Sequence, residues 1–76
     1  MTVFDAVRDS LLEVVPDTDP AAVRPGRTLL DLGCTSIDRA EVVTLAMERL
    51  GVVVPIAEFQ DVNDIDTIVA LLGKHL

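Results

Sequence analysis

The sequence predicts an all-α fold: a small four-helix bundle with three main helices, one short helix and a long first loop. Three observations carry this. Three segments place apolar residues at helical spacing, each opened by a side chain suited to cap a helix. The extended run Val52-Val53-Val54 has no sequential strand to pair with and reads as a linker. Half of the 76 residues are apolar, yet Phe4 and Phe59 are the sole aromatics, so the core must be aliphatic.

The first helix is predicted over residues 2–15. Thr2 and Asp5 form a capping-box pattern, Phe4, Val7, Leu11 and Val14 follow helical spacing, and Pro16 ends it. Residues 16–35 carry Pro20, Pro25, Gly26 and Gly33 and keep no period. A connection of that length is uncommon in a small domain, and Val23, Leu29, Leu30 and Leu32 are expected to pin it down. The second helix should run from Ser36 to Leu50, with Thr35 as N-cap, Asp38 completing a capping box and Gly51 as the stop. A short helical turn is expected over Ile56–Gln60. The last helix should begin after Asn63, capped there and supported by Asp66, with Ile65, Ile68, Val69 and Leu72 facing inward. With no repeat, low-complexity tract or internal boundary, residues 1–76 read as a single domain.

Composition excludes several functions. The net charge of −7 opposes binding to nucleic acid or anionic lipid, and the six Lys and Arg residues are scattered. Such acidity serves solubility or a partner with a basic docking patch. A single cysteine permits neither an internal disulfide nor a thiolate metal set and fits a reducing compartment, the cytoplasm. No segment resembles a signal peptide or approaches the length of a membrane span. A monomer is expected.

The octapeptide Asp31-Leu32-Gly33-Cys34-Thr35-Ser36-Ile37-Asp38 holds the strongest chemical signal. As a nucleophile, Ser36 would need a base, normally an oriented histidine. The one histidine, His75, lies beside the C-terminus, where it answers the helix dipole. Catalysis by this chain alone is therefore not expected. As an acceptor, Ser36 stands at the first helical position, where unpaired N–H groups favour an attached phosphate. The other reading is that it only completes the cap. Cys34 is either a thiol activated by the same helix start or a small loop residue. Arg39 packs its stem while its guanidinium reaches an acid or the surface, or else it pairs with a phosphate on Ser36.

The second helix has two apolar faces. Val42, Val43, Ala46 and Leu50 suit the core. Ile37, Ala40, Thr44 and Met47, edged by Glu41 and Glu48, suit a transient docking surface; alternatively Ile37 and Met47 complete the core or stand out singly.

The motif Asp31-Leu32-Gly33-x-x-Ser36-Ile37, between a long loop and an acidic helix, resembles the modification site of acyl carrier proteins, and the resemblance covers the whole chain. It implies that Ser36 receives 4′-phosphopantetheine from coenzyme A through a separate phosphopantetheinyl transferase. The arm's thiol then holds acyl thioesters. It also implies that Ile37, Ala40, Glu41, Thr44, Met47 and Glu48 form the face offered to partner enzymes. That family usually has Asp before the serine and Leu after it; here Thr35 and Ile37 stand there. Thr35 keeps the cap without the carboxylate that transferases of the fatty-acid pathway often recognise, so a broader-specificity transferase is implied.

The run Ser36-Ile37-Asp38-Arg39-Ala40-Glu41-Val42 looks like the free-standing donor carriers of polyketide β-branching cassettes. The implied partners are a malonyl or acyl transferase, a decarboxylating ketosynthase-like protein and an HMG-CoA-synthase-like enzyme. The last of these receives an acetyl group formed from malonyl, and Asp38 and Arg39 would help select partners. The alternatives are an ordinary carrier for fatty-acid or polyketide chain extension and a helical protein-binding module in which Ser36 is a cap.

Overall fold

A helix begins where a side chain can stand in for the acceptors that its first backbone N–H groups lack. In the computed structural model, which describes residues 1–76, this happens three times: α1 spans Val3–Val14, α2 Ser36–Leu50 and α3 Ile65–Gly73. Single 3₁₀ turns lie at Pro20–Ala22 and Ile56–Phe59. The second of these is the short helix expected after the linker, so the all-α architecture follows the prediction. The Pro20–Ala22 turn inside the long loop was not foreseen; Asp19 caps it by accepting from the N–H of Ala21.

The first two caps are reciprocal. Thr2 Oγ1 accepts from Asp5 N at 3.0 Å while Asp5 accepts from Thr2 N; Thr35 Oγ1 accepts from Asp38 N at 3.1 Å while Asp38 accepts from Thr35 N at 3.0 Å. The third differs from the expectation. The cap of α3 is Asp64, not Asn63, and its carboxylate accepts from both the N–H and the hydroxyl of Thr67. Asn63 is occupied elsewhere: its carbonyl accepts from Leu29 N and its side chain from Arg39. Helix α2 ends at Gly51, whose φ of +69° only glycine adopts without strain. There the N–H groups of Gly51 and Val52 return to Glu48 and Met47, a Schellman closure.

The aliphatic core is built from Val7 and Leu11 of α1, Val42, Val43 and Ala46 of α2, and Ile65, Ile68 and Leu72 of α3. Leu50 and Val69 pack against it half-buried. Each fully buried large aliphatic residue contributes roughly 1.5–3 kcal/mol of transfer free energy. Of the expected loop pins, Val23 and Leu29 are buried and Leu32 is half-buried, but Leu30 is 70 % exposed. The chain turns at 28–34, where Leu32 N and Cys34 N both bond to Leu29 O, so the adjacent leucines point opposite ways and only Leu29 enters the core.

Ser10 of α1 is also fully buried. Its hydroxyl donates to Ala6 O and accepts from Arg49 of α2, both at 2.7 Å, so a polar clamp lies inside the α1–α2 contact. Helix α1 packs on α2 and, less extensively, on α3, whereas α2 and α3 share few direct contacts. The loop is tied to the start of α3 by an isolated antiparallel bridge, with Leu29 N bonded to Asn63 O and Ile65 N to Arg27 O.

Candidate functional site

The long loop delivers the chain to α2 through a short, internally bonded turn. Thr28 Oγ1 accepts from Asp31 N at 3.0 Å, Leu29 anchors the turn in the core, and Gly33 takes a φ of +86° that a side chain would strain. Cys34 is buried next, and Thr35 is extended as a cap. Ser36 is thus placed as the first residue of α2, exposed, with its hydroxyl free of any partner in the protein.

Two backbone donors lie beside that hydroxyl. The capping box consumes the N–H of Asp38, and the N–H of Arg39 begins the helical ladder on Thr35 O. The N–H groups of Ser36 and Ile37 have no acceptor, which leaves the positive end of the helix open to an anion attached at Ser36. The chain's other serine, Ser10, is buried and doubly bonded.

No base accompanies Ser36. His75 sits at the far end of α3 with Nδ1 3.1 Å from Leu71 O, and no cluster of His, Cys, Asp and Glu is arranged to hold a metal. Burial pushes the Cys34 thiol above its ordinary pKa, and the Asp38 carboxylate adds to the effect. Cys34 is therefore a protonated core residue, not an activated thiol.

Ser36 stands at the mouth of an open groove of about 420 Å³. One wall is Arg39, Ala40 and Val43 of α2; the other is Ile56, Ala57, Phe59 and Gln60 of the short 3₁₀ turn. A second apolar hollow adjoins it, formed by Ile37, Ala40, Glu41, Thr44, Leu45 and Ile56. Ile37 is 72 % exposed and Ile56 48 %, so the two hollows present a continuous apolar strip along α2. Ile56, Phe59 and Gln60 were not among the sequence-derived site residues. The short turn was legible, but nothing local says that it packs beside Ser36.

The structure divides the expected docking residues. Ile37, Glu41, Thr44 and Glu48 are exposed, and Ala40 is half-buried between them. Thr44 donates its hydroxyl to Ala40 O at 2.8 Å. Met47 departs from the expectation: it is only 9 % exposed, belongs to the core, and its sulfur accepts from Val54 N at 3.1 Å. The linker residues Val52–Val54 fold back over it, a contact that helical spacing alone does not reveal. Asp38 is held by the capping box, and the Arg39 guanidinium is engaged within the chain by Gln60 O, Val62 O and Asn63 Oδ1. Arg39 therefore reaches no acid: its half-buried side chain ends on neutral acceptors near the surface.

An exposed hydroxyl, two free backbone donors and an adjoining apolar groove suit a long phosphodiester-linked arm. The sequence comparison agrees: the family described as phosphopantetheine attachment site matches residues 5–72, and the chain belongs to that family. Within it, this is an acyl carrier protein, a carrier class that implies covalently attached 4′-phosphopantetheine. The chain is similar to the polyketide biosynthesis acyl-carrier-protein AcpK of Bacillus subtilis strain 168, with 31 % identity over 92 % of this chain and 85 % of that protein. It is also similar to acyl carrier proteins of Campylobacter hominis, at 30 % identity over 99 % of each chain, and Campylobacter curvus, at 35 % over 97 % and 96 %. No solved structure matches the chain at a significant level. Members of this class are carriers modified by phosphopantetheinyl transferases and served by acyltransferases and synthases. No helix here is long and apolar enough to cross a membrane.

Proposed function

We propose that Ser36 carries the 4′-phosphopantetheine arm and that the loaded chain donates acetyl, formed from malonyl, to an HMG-CoA-synthase-like enzyme in polyketide β-branching. The observation that carries the attachment is the state of Ser36 itself: exposed, unbonded, beside two free N–H groups and at the mouth of an apolar groove. The arm supplies the thiol on which thioesters form. The chain's own residues do the rest: Thr35 and Asp38 fix the helix start, the Ser36 and Ile37 N–H groups face the phosphate, and the strip through Ile37, Ala40, Thr44 and Ile56, rimmed by Glu41 and Glu48, meets the partners. Those partners are a broad-specificity phosphopantetheinyl transferase, a malonyl or acyl transferase, a decarboxylating ketosynthase-like protein and the HMG-CoA-synthase-like acceptor.

Two things support the β-branching role: the run Ser36–Val42, and likeness to a carrier named for polyketide biosynthesis. The Campylobacter relatives, named simply acyl carrier proteins, favour the second reading, ordinary chain extension. Incubation with coenzyme A and a broad-specificity transferase should add one arm by intact mass, and Ser36→Ala should abolish the gain. A gain that survives Ser36→Ala sinks the attachment. Acetyl transfer to a β-branching synthase should exceed that from an ordinary carrier run beside it; equal transfer favours the ordinary role.

A further inference from the structure

Arg39 lies one turn after Ser36 and lines the same groove, yet it pairs with no carboxylate. Its guanidinium fans over three neutral acceptors 21 to 24 residues away: Gln60 O at 2.9 Å, Asn63 Oδ1 at 3.1 Å and Val62 O at 3.3 Å. The two carbonyls belong to the segment that follows Phe59, and Phe59 and Gln60 form the far wall of the groove. Phe59 is anchored by burial in the core and Val62 packs against that core half-buried, whereas Gln60, Asp61 and Asn63 are exposed, and the guanidinium supplies the hydrogen bonds that tie this stretch to α2. The segment's other end is held by the bridge from Leu29 to Asn63.

We propose that Arg39 is a positioning residue for the carrier site: by gripping residues 60–63 it fixes the Phe59–Gln60 wall against α2 and so sets the groove into which an arm on Ser36 would lie. The proposal rests on Ser36 as the attachment point. A planar fork is required, because one ammonium is a point charge on a flexible stem and cannot span three acceptors in fixed geometry. Charge alone is not the agent, since all three acceptors are neutral.

The test compares the wild type with Arg39→Lys, which keeps the charge and loses the fork, and with Arg39→Met, which keeps only the stem. In the unmodified proteins, hydrogen exchange is followed at the N–H groups of Glu58, Gln60 and Val62, which bond within the segment to Pro55, Ala57 and Phe59. Both variants should exchange there roughly fivefold faster or more, with α1 unchanged. Exchange as slow as the wild type in both, or in Arg39→Lys alone, overturns the latch. The proteins are then primed with coenzyme A and a broad-specificity transferase. Attachment should move the Phe59 and Gln60 amide resonances in the wild type and much less in either variant; equal shifts in all three overturn the positioning role. Failure to prime wild-type Ser36 overturns the attachment reading instead, and the exchange measurement still judges the latch. Should Arg39→Met not fold, Asn63→Ala, which removes one acceptor, takes its place in both measurements.

Discussion

Thr35, Ser36 and Arg39 are near neighbours in sequence but face three different environments. Thr35 is extended, and its hydroxyl replaces a missing acceptor for Asp38 N. Ser36, one position on, has no such bond and projects outward. Because the cap needs only a side-chain oxygen, Thr35→Asp should keep it, with a stability change within about 0.5 kcal/mol. The same change places a carboxylate directly before the serine, and priming by a transferase of the fatty-acid pathway should then speed up. The rate measured beside the wild type decides, and an unchanged rate would show that the carboxylate is not what the transferase reads. The Thr35 cap and the placement of Ser36 at the helix start were legible because they depend on residues within three positions. The partners of Arg39 were not, since they lie more than twenty residues away.

The helices depend on carboxylates at their N-termini as well as on apolar faces. Hydrogen bonds from Thr2 hold the Asp5 carboxyl below its ordinary pKa, and those from Thr67, first its hydroxyl and then its N–H, do the same for Asp64. A carboxylate with a depressed folded value contributes stability that is fully present above its unfolded pKa and is lost as pH falls through the folded one. Thermal stability should therefore decline on acidification through and below the ordinary carboxylate range. Asp64→Asn keeps an acceptor for Thr67 but cannot titrate, so its deficit relative to the wild type should shrink as pH falls. Melting curves across that range test this, and a deficit independent of pH would remove Asp64 from the acid response. The sequence placed this cap one residue early, since Asn and Asp are both good caps and only the tertiary demands on Asn63 separate them.

A chain of 76 residues has little stability to lose: at typical values per residue, about 4–11 kcal/mol in all. On that scale the burial of Met47 matters. Met47→Ala should cost roughly 2–4 kcal/mol in chemical denaturation, whereas Ile37→Ala, at a 72 % exposed position on the same helix, should stay within about 0.5 kcal/mol. Equal costs would return Met47 to the surface. For the same reason Met47→Glu is unsuitable as a probe of docking, because it places a carboxylate against the core. Ile37→Glu changes the outer strip without touching the packing.

The sequence by itself determined the three helices, two of their caps, the glycine stop of α2 and the exposed serine at its start. Each depends on periodicity or on hydrogen bonds spanning a few residues. Only the tertiary structure decided which leucine of the loop enters the core, which residue caps α3, that Met47 lies beneath the linker, and that Arg39 joins α2 to the segment behind Phe59. Those outcomes turn on which distant groups compete for the same carbonyl, amide or apolar space, and that competition exists only once the helices have packed.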